Sequence, residues 1–239
     1  MNSDNADYDG HDLEALSVLD NYHDWIVDLF APHIRGAAIE YGAGIGANSR
    51  RIRPLVESLE LIEPSLRQFN ELCAHFGGDA AITVRQAALE DHIATVPDHS
   101  YDSVVLINVL EHIADDGMAV RELARILKPS GTLLLFVPAL PFLFSRMDTI
   151  LGHYRRYRRD ELGELILANG FEIIKARYVD ALGTIPWWLV NTLGGAVKFN
   201  PVLARLYDRL GVPLTRFVES LLPATPFGKN IVVIARKNT

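Results

Sequence analysis

The chain has 239 residues, 49% of them hydrophobic and 22% charged, with a formal net charge of -7. This size and balance suit one sizeable α/β domain with insertions and argue against disorder outside the ends, while the negative charge disfavours general binding to nucleic acid. A single cysteine, Cys73, excludes an internal disulfide and any multi-cysteine zinc site, and its spacing from Leu66 and Phe69 predicts a core position on a helix.

Residues 1–10 read as a mobile polar tail and residues 11–32 as leading helices, with Leu16, Leu19, Ile26, Leu29 and Phe30 at near-helical spacing up to Pro32. The first residues form no basic-then-apolar leader, which predicts a cytoplasmic location. Ala37–Tyr41 then reads as a strand, followed by a helix from about Ala47 that Pro54 bends, and by a second strand over Leu59–Ile62. Ser65 caps a helix whose Leu66, Phe69, Leu72, Cys73 and Phe76 share a face before Gly77-Gly78 ends it. Ala81–Arg85 is the third strand. Tyr101–Ile107, with the unbroken run Val104-Val105-Leu106-Ile107, is a fourth strand buried on both faces.

A helix over Met118–Leu127 closes on the turn Lys128-Pro129-Ser130-Gly131, and Thr132–Val137 is the fifth strand. A helix over Asp160–Ala168, a sixth strand over Phe171–Tyr178 and a last strand over Asn230–Ala235 complete the pattern. The prediction is a doubly wound seven-stranded sheet, mostly parallel with an antiparallel last strand and helices on both faces. Residues 33–180 and 229–239 form its cofactor-binding core within a single domain, and residues 181–228 form a cap inserted between strands six and seven. In that cap Pro186, Pro201, Pro213, Pro223 and Pro226 divide the chain into short helical pieces such as Pro201–Leu210. Its weakly polar run Ala181–Val197 is shorter than the roughly 20 residues of a spanning helix, leaving a greasy pocket wall or a peripheral membrane contact.

Ligands of a doubly wound sheet bind beyond the carboxyl ends of its strands, and polar groups follow four strands here. They are Glu40 with Gly42, Gly44 and Gly46; Glu63-Pro64; Leu89-Glu90-Asp91; and Asn108 to His112. The alternating glycines suit a tight turn that lets backbone approach a ligand, and the pattern points to an adenosine-bearing cofactor. Gly42, Gly44 and Ala47 also satisfy the looser dinucleotide fingerprint, with Glu63 at the spacing of a ribose-binding carboxylate, so a nicotinamide cofactor is an alternative at this point.

Taken together, Glu40-Tyr41-Gly42-Ala43-Gly44-Ile45-Gly46, Glu63 and Asn108-Val109-Leu110-Glu111-His112 resemble class I S-adenosylmethionine-dependent methyltransferases, in the small-molecule branch that includes ubiquinone-pathway enzymes. The resemblance spans about Tyr22 to Phe171. It implies that Glu63 accepts both ribose hydroxyls, Glu40 lies near the ammonium end of the cofactor, Leu89 and Glu90 border the adenine, and Asn108 with Val109 lies beneath the sulfonium. Tyr22 resembles a leading-helix aromatic that closes over the cofactor, with plain helix packing as its alternative. The implied reaction is an in-line methyl transfer that leaves S-adenosylhomocysteine. It demands no metal, and the histidines show no H-x-x-x-H or H-E-x-x-H spacing.

The acceptor is read from two further segments. In Gly152-His153-Tyr154-Arg155-Arg156-Tyr157-Arg158-Arg159-Asp160, His153 is the candidate general base and Arg155 or Arg156 the group for a substrate anion, against the alternative of a solvated basic loop. Tyr154, Tyr157, Trp187 and Trp188 are candidate acceptor contacts, although most large cap residues, among them Leu189, Phe199, Leu203 and Tyr207, are expected to pack the cap on the sheet or join two copies. The acceptor so predicted is small and hydrophobic or aromatic. An NAD(P)-dependent oxidoreductase and a catalytically silent cofactor-binding partner are the two competing functions.

Overall fold

The computed structural model describes residues 19–197, 200–222 and 224–239; the tail over residues 1–10, Leu16 and Phe199 lie outside them. Seven strands form one sheet in the order β3-β2-β1-β4-β5-β7-β6. They are β1 (Ala37–Tyr41), β2 (Ser58–Glu63), β3 (Ile82–Gln86), β4 (Tyr101–Ile107), β5 (Leu127–Pro138), β6 (Phe171–Val179) and β7 (Asn230–Lys237). β1 pairs in parallel with both β2 and β4, whereas β7 runs antiparallel between β5 and β6. The order reverses between β1 and β4, so the crevice for a ligand opens at their carboxyl ends.

Alternation along the strands sends side chains to two cores. Val104 and Leu106 join Ile39, Leu133 and Leu135 beneath Val120, Leu123 and Ile126 of α5 (Asp116–Ile126) and Leu162 and Ile166 of α7 (Arg159–Ala168). Val105 and Ile107 face the other way, with Leu134 and Phe136, against Trp25, Ile26 and Phe30 of α1 (Asp20–Phe30) and Leu72 and Phe76 of α3 (Leu66–Phe76). The remaining helices are α2 (Ser49–Ile52), α4 (Leu89–Ile93), α6 (Arg146–Ile150), α8 (Ala181–Trp187), α9 (Pro201–Leu206) and α10 (Val212–Ser220).

Four local expectations are corrected. β5 begins at Leu127 rather than Thr132, because the chain pairs Tyr101 with Leu127, bulges through Ser130 in the left-handed region at φ 61°, and resumes pairing at Thr132. On α3 it is Gln68, Leu72 and Phe76 that are buried, while Leu66 is exposed and Cys73 only half-buried, so the helix is rotated from the face that its apolar residues suggested. Helix α2 starts at Ser49, after the glycine turn has closed.

The fourth concerns the cap, where proline does not divide the helices. Pro186 lies inside α8, which continues through a π-helical stretch over Trp188–Leu193, and Pro213 follows a π-helical stretch over Tyr207–Gly211 that joins α9 to α10. A proline removes one backbone donor and crowds the carbonyl four residues earlier; a wider turn beside it relieves that conflict without ending the helix.

Candidate active site

The glycine turn is built as an extension of the sheet. Gly42 and Ala43 donate backbone N–H groups to the Ile62 carbonyl, at 2.8 and 3.1 Å, and Gly46 donates to Ala43 at 3.0 Å. Gly42, Gly44 and Gly46 all take positive φ, at 68°, 58° and 85°, which L side chains resist. Gly42 and Gly46 also have no room for a side chain, since a Cβ would sit 2.5 Å from Val109 and 2.4 Å from the Phe76 ring. Gly44 differs: a Cβ there meets only Gln68 Oε1, at 3.9 Å, so its bare backbone faces open space.

Both acids of the motif are buried beside this turn. Glu63 Oε2 accepts from Gly44 N–H at 2.8 Å and Oε1 from Ser65 N–H at 2.9 Å, so the carboxylate is locked to the turn by one bond on each oxygen. Burial raises its pKa above the usual carboxylate range, opposed by these two bonds. Glu40 is fully enclosed and accepts from Ser49 Oγ at 2.6 Å; burial pushes it up to about 8, with the Glu63 charge adding to the rise. Glu63 and the protonated Glu40 beside the glycine turn form a site that favours a ligand with hydroxyl and N–H donors.

The other cofactor candidates surround the same crevice. Asn108 ends β4 in the left-handed region at φ 53°, held by its N–H bond to Phe136 O at 2.8 Å, and Val109 packs against Gly42. Leu89 is buried at the start of α4, Glu90 beside it is exposed, and Pro64 O accepts from Gln86. Tyr22 sits edge-on to Phe136 and Trp25 and accepts from the Asn230 amide at 2.7 Å, while Lys229 Nζ lies 5.3 Å from its ring. Burial and the nearby Asp180 carboxylate push its phenol well up. Gln68 and Ser49 are members of this site that the sequence reading missed.

A second cluster lies just past β4 and joins the His153 loop to the Asn108 segment. Asp148, buried on α6, accepts from His153 Nδ1 at 3.0 Å, from Arg156 Nε at 2.7 Å and from Ser145 at its N–H and hydroxyl. Burial works to raise Asp148, but His153, Arg156 and Ser145 outweigh it and hold the carboxyl at about 2. Bonding at Nδ1 leaves Nε2 of His153 as the basic nitrogen, 4.0 Å from Glu111 Oε1. Neither carboxyl oxygen of Glu111 has a hydrogen-bond partner, and burial pushes that group up to about 8. His112 stacks edge-on to His153 with ring centres 4.7 Å apart; desolvation and the neighbouring imidazole push it down to about 4.

Several residues expected to meet the acceptor instead hold this loop in place. Arg155 pairs with Asp116 at 2.6 Å and donates to Ala114 O. Arg156 is buried, bound to Asp148 and the Ala139 carbonyl, with its guanidinium 4.6 Å from the Trp187 ring. Tyr157 is buried with its hydroxyl 3.0 Å from Asp116 and 3.2 Å from Leu110 O, and the Trp187 indole donates to Leu143 O at 3.2 Å. Tyr154 and Trp188 are exposed, as are Leu189 and Leu203 of the cap, while Tyr207 packs inward on Asp180. Asp148, which orients the whole loop, was absent from the sequence reading; Ser145-Arg146-Met147-Asp148 is a capping-box pattern and was its one sequence signal.

The fold agrees with what comparison with known proteins finds. A family described as a methyltransferase domain matches residues 18–176, about two thirds of the sequence, and the chain belongs to it. Membership in a methyltransferase family weighs against the nicotinamide alternative. A probable S-adenosylmethionine-dependent methyltransferase of Mycobacterium tuberculosis is 37% identical over 92 residues, 38% of this chain and 33% of that relative. The ubiquinone biosynthesis O-methyltransferase of Neisseria meningitidis is 31% identical over 123 residues, 51% and 49% of the two chains. The chain thus spans between a third and a half of the length of these relatives. In fold, an S-adenosylmethionine-dependent methyltransferase from Mesorhizobium loti superposes with a TM-score of 0.62 at 17% identity, over 92% of this chain and 100% of that one.

Proposed function

We propose that this protein transfers the methyl group of S-adenosylmethionine to a hydroxyl of a small, hydrophobic or aromatic acceptor, with His153 as general base. Bound S-adenosylmethionine supplies an electrophilic methyl on a positive sulfonium. Glu63 would hold the ribose hydroxyls with the lone pairs its two backbone bonds leave free, and Glu40 would face the ammonium end. Leu89 and Glu90 would border the adenine, Asn108 and Val109 would lie below the sulfur, and Tyr22 would close the crevice from α1.

The observation that carries the catalytic part is the Asp148–His153 pair. A buried carboxylate fixes the tautomer and the ring, so that Nε2 faces the space beside Glu111 and His112 as a proton acceptor. Asp148 thereby stabilises the imidazolium that forms when the acceptor loses its proton. With Arg155 and Arg156 committed to protein partners, the acceptor needs no anionic group, and Tyr154 and Trp188 remain as its aromatic contacts. Replacing His153 by Ala should lower kcat by about a hundredfold or more on a hydroxyl acceptor while leaving S-adenosylhomocysteine affinity within about twofold. Unchanged turnover would remove His153 from this role. Inactivity of the unaltered protein toward every acceptor in a broad panel, with cofactor bound, would favour a silent cofactor-binding partner.

One observation favours a second reading of the same cluster. Glu111, His112 and His153 each place a ligand atom within 4.8 Å of the other two, and both Glu111 oxygens lack partners. A divalent cation held there would polarise the acceptor oxygen directly, with Asp148 orienting a metal-bound His153. Turnover that survives chelation supports the base; turnover lost on chelation and restored by added Mg²⁺, Mn²⁺ or Zn²⁺ supports the cation.

A further inference from the structure

The two cap helices are inside out. From Pro201 to Ser220 the chain runs as one helix through α9, its π-helical stretch and α10, and its buried positions include Asp208, Thr215 and Glu219. Its solvent face carries Leu203, Leu206, Leu210, Leu214, Phe217 and Leu221, each between 52% and 67% exposed and spaced by three or four residues. The helix that begins at Ala181 repeats the inversion, with Thr184 and Asn191 buried and Ile185, Leu189 and Leu193 exposed.

Two of the inward polar groups hold the starts of other helices, which favours this orientation. Asp208 accepts from the backbone N–H groups of Asn21 and Tyr22 and so caps α1, and Glu219 accepts from Ala181 N–H at the start of α8. Turning the helix over residues 201–220 to bury its leucines would strip those caps and carry the exposed Arg205 and Arg209 inward with them. The apolar stripes are therefore fixed on the outside. Contiguous exposed apolar surface on this scale marks an interaction face.

Charge identifies the partner. Among the described residues of 181–228, Arg205 and Arg209 are exposed and form no ion pair with another described residue, Arg216 is half-buried and paired with Asp28 at 2.8 Å, and both acids, Asp208 and Glu219, are buried. Within 181–228 the described exposed charges of this chain of net charge -7 are thus all cations, with Asp28 of α1 paired to Arg216 at the edge. A self-complementary contact between two copies would set cation against cation. No helix of the described residues is long and apolar enough to cross a membrane.

We infer that the cap docks on the surface of an anionic lipid bilayer, its leucines and Phe217 entering the headgroup boundary and Arg205 and Arg209 meeting lipid phosphates. The cap joins the crevice through Trp187 on Arg156 and through Asp208 on the turn bearing Tyr22, so docking places the candidate active site next to the bilayer. This inference does not depend on methyl transfer, since its readout is lipid binding without cofactor or acceptor.

The test is co-sedimentation of the full chain with vesicles of phosphatidylcholine, alone or with about a third phosphatidylglycerol. Binding is expected to the anionic vesicles, to weaken about tenfold or more in the Arg205→Glu, Arg209→Glu double variant, and to vanish in the Leu206→Ser, Leu210→Ser, Phe217→Ser variant. These positions are exposed, so an unchanged circular dichroism spectrum and melting temperature will show that the fold is kept. A chain that stays in the supernatant with anionic vesicles overturns the inference, as does binding that is indifferent to lipid charge and to both variants. A wild-type dimer at micromolar concentration that the serine variant dissociates, with no vesicle binding, would assign the face to a second copy.

Discussion

Gly44→Ala separates the ligand-facing role of the glycine turn from its structural role. At φ 58° an alanine pays the left-handed penalty of about 1–2 kcal/mol, and the new Cβ touches nothing closer than Gln68 Oε1 at 3.9 Å. The folded protein should therefore survive, with a melting temperature lower by about 2–8 °C for a chain of this length. The methyl group, however, would project into the open space beside the turn where the proposed cofactor would approach the backbone. Displacing the ligand from Glu63 forfeits hydrogen bonds to a charged group worth about 1.5–3 kcal/mol each, which predicts S-adenosylhomocysteine affinity reduced by about a hundredfold or more by isothermal titration calorimetry. Gly42→Ala is the contrast, since its Cβ would lie 2.5 Å from Val109 and the fold itself must shift. Affinity in Gly44→Ala within about threefold of wild type, alongside the predicted loss of melting temperature, would refute the assignment of Gly44 as the ligand-facing glycine.

Three further outcomes follow from the same geometry. Asp148→Asn removes the charge that Arg156 and His153 share in a buried cluster; chemical denaturation should show a loss of about 3–5 kcal/mol, and kcat on a hydroxyl acceptor should fall. Glu40 is protonated in the folded chain up to about pH 8 but only to about 4.5 when unfolded, so the folded state binds more protons between those values and stability falls as pH rises through them. Glu40→Gln should flatten that slope, which is at most about 1.4 kcal/mol per pH unit, in urea melts at several pH values. Tyr157→Phe should cost about 1 kcal/mol of stability with kcat unchanged, whereas a large fall in kcat would return Tyr157 to the acceptor site.

The sheet was readable because its strands are apolar runs between turn residues, and Tyr101–Ile107 matches the observed β4 residue for residue. The glycine turn and Glu63 were readable because a left-handed backbone and a strand-end acid leave a local signature. What stayed hidden depends on partners distant in sequence. Asp208 caps a helix 186 residues earlier, so nothing in the spacing of the cap leucines told that they face outward rather than inward. Likewise Arg155 and Arg156 read as free cations until Asp116 and Asp148 were brought to them. The rotation of α3 that buries Gln68 and exposes Leu66 was equally illegible, because a helix of mixed composition offers two plausible apolar faces.

Binding of S-adenosylmethionine in this crevice is the step on which the proposed methyl transfer depends. Titrating the purified chain with S-adenosylhomocysteine and, separately, with NAD tests it most directly. Saturable S-adenosylhomocysteine binding that Glu63→Ala abolishes is expected, with no binding of NAD. Saturable NAD binding without any response to S-adenosylhomocysteine would contradict it.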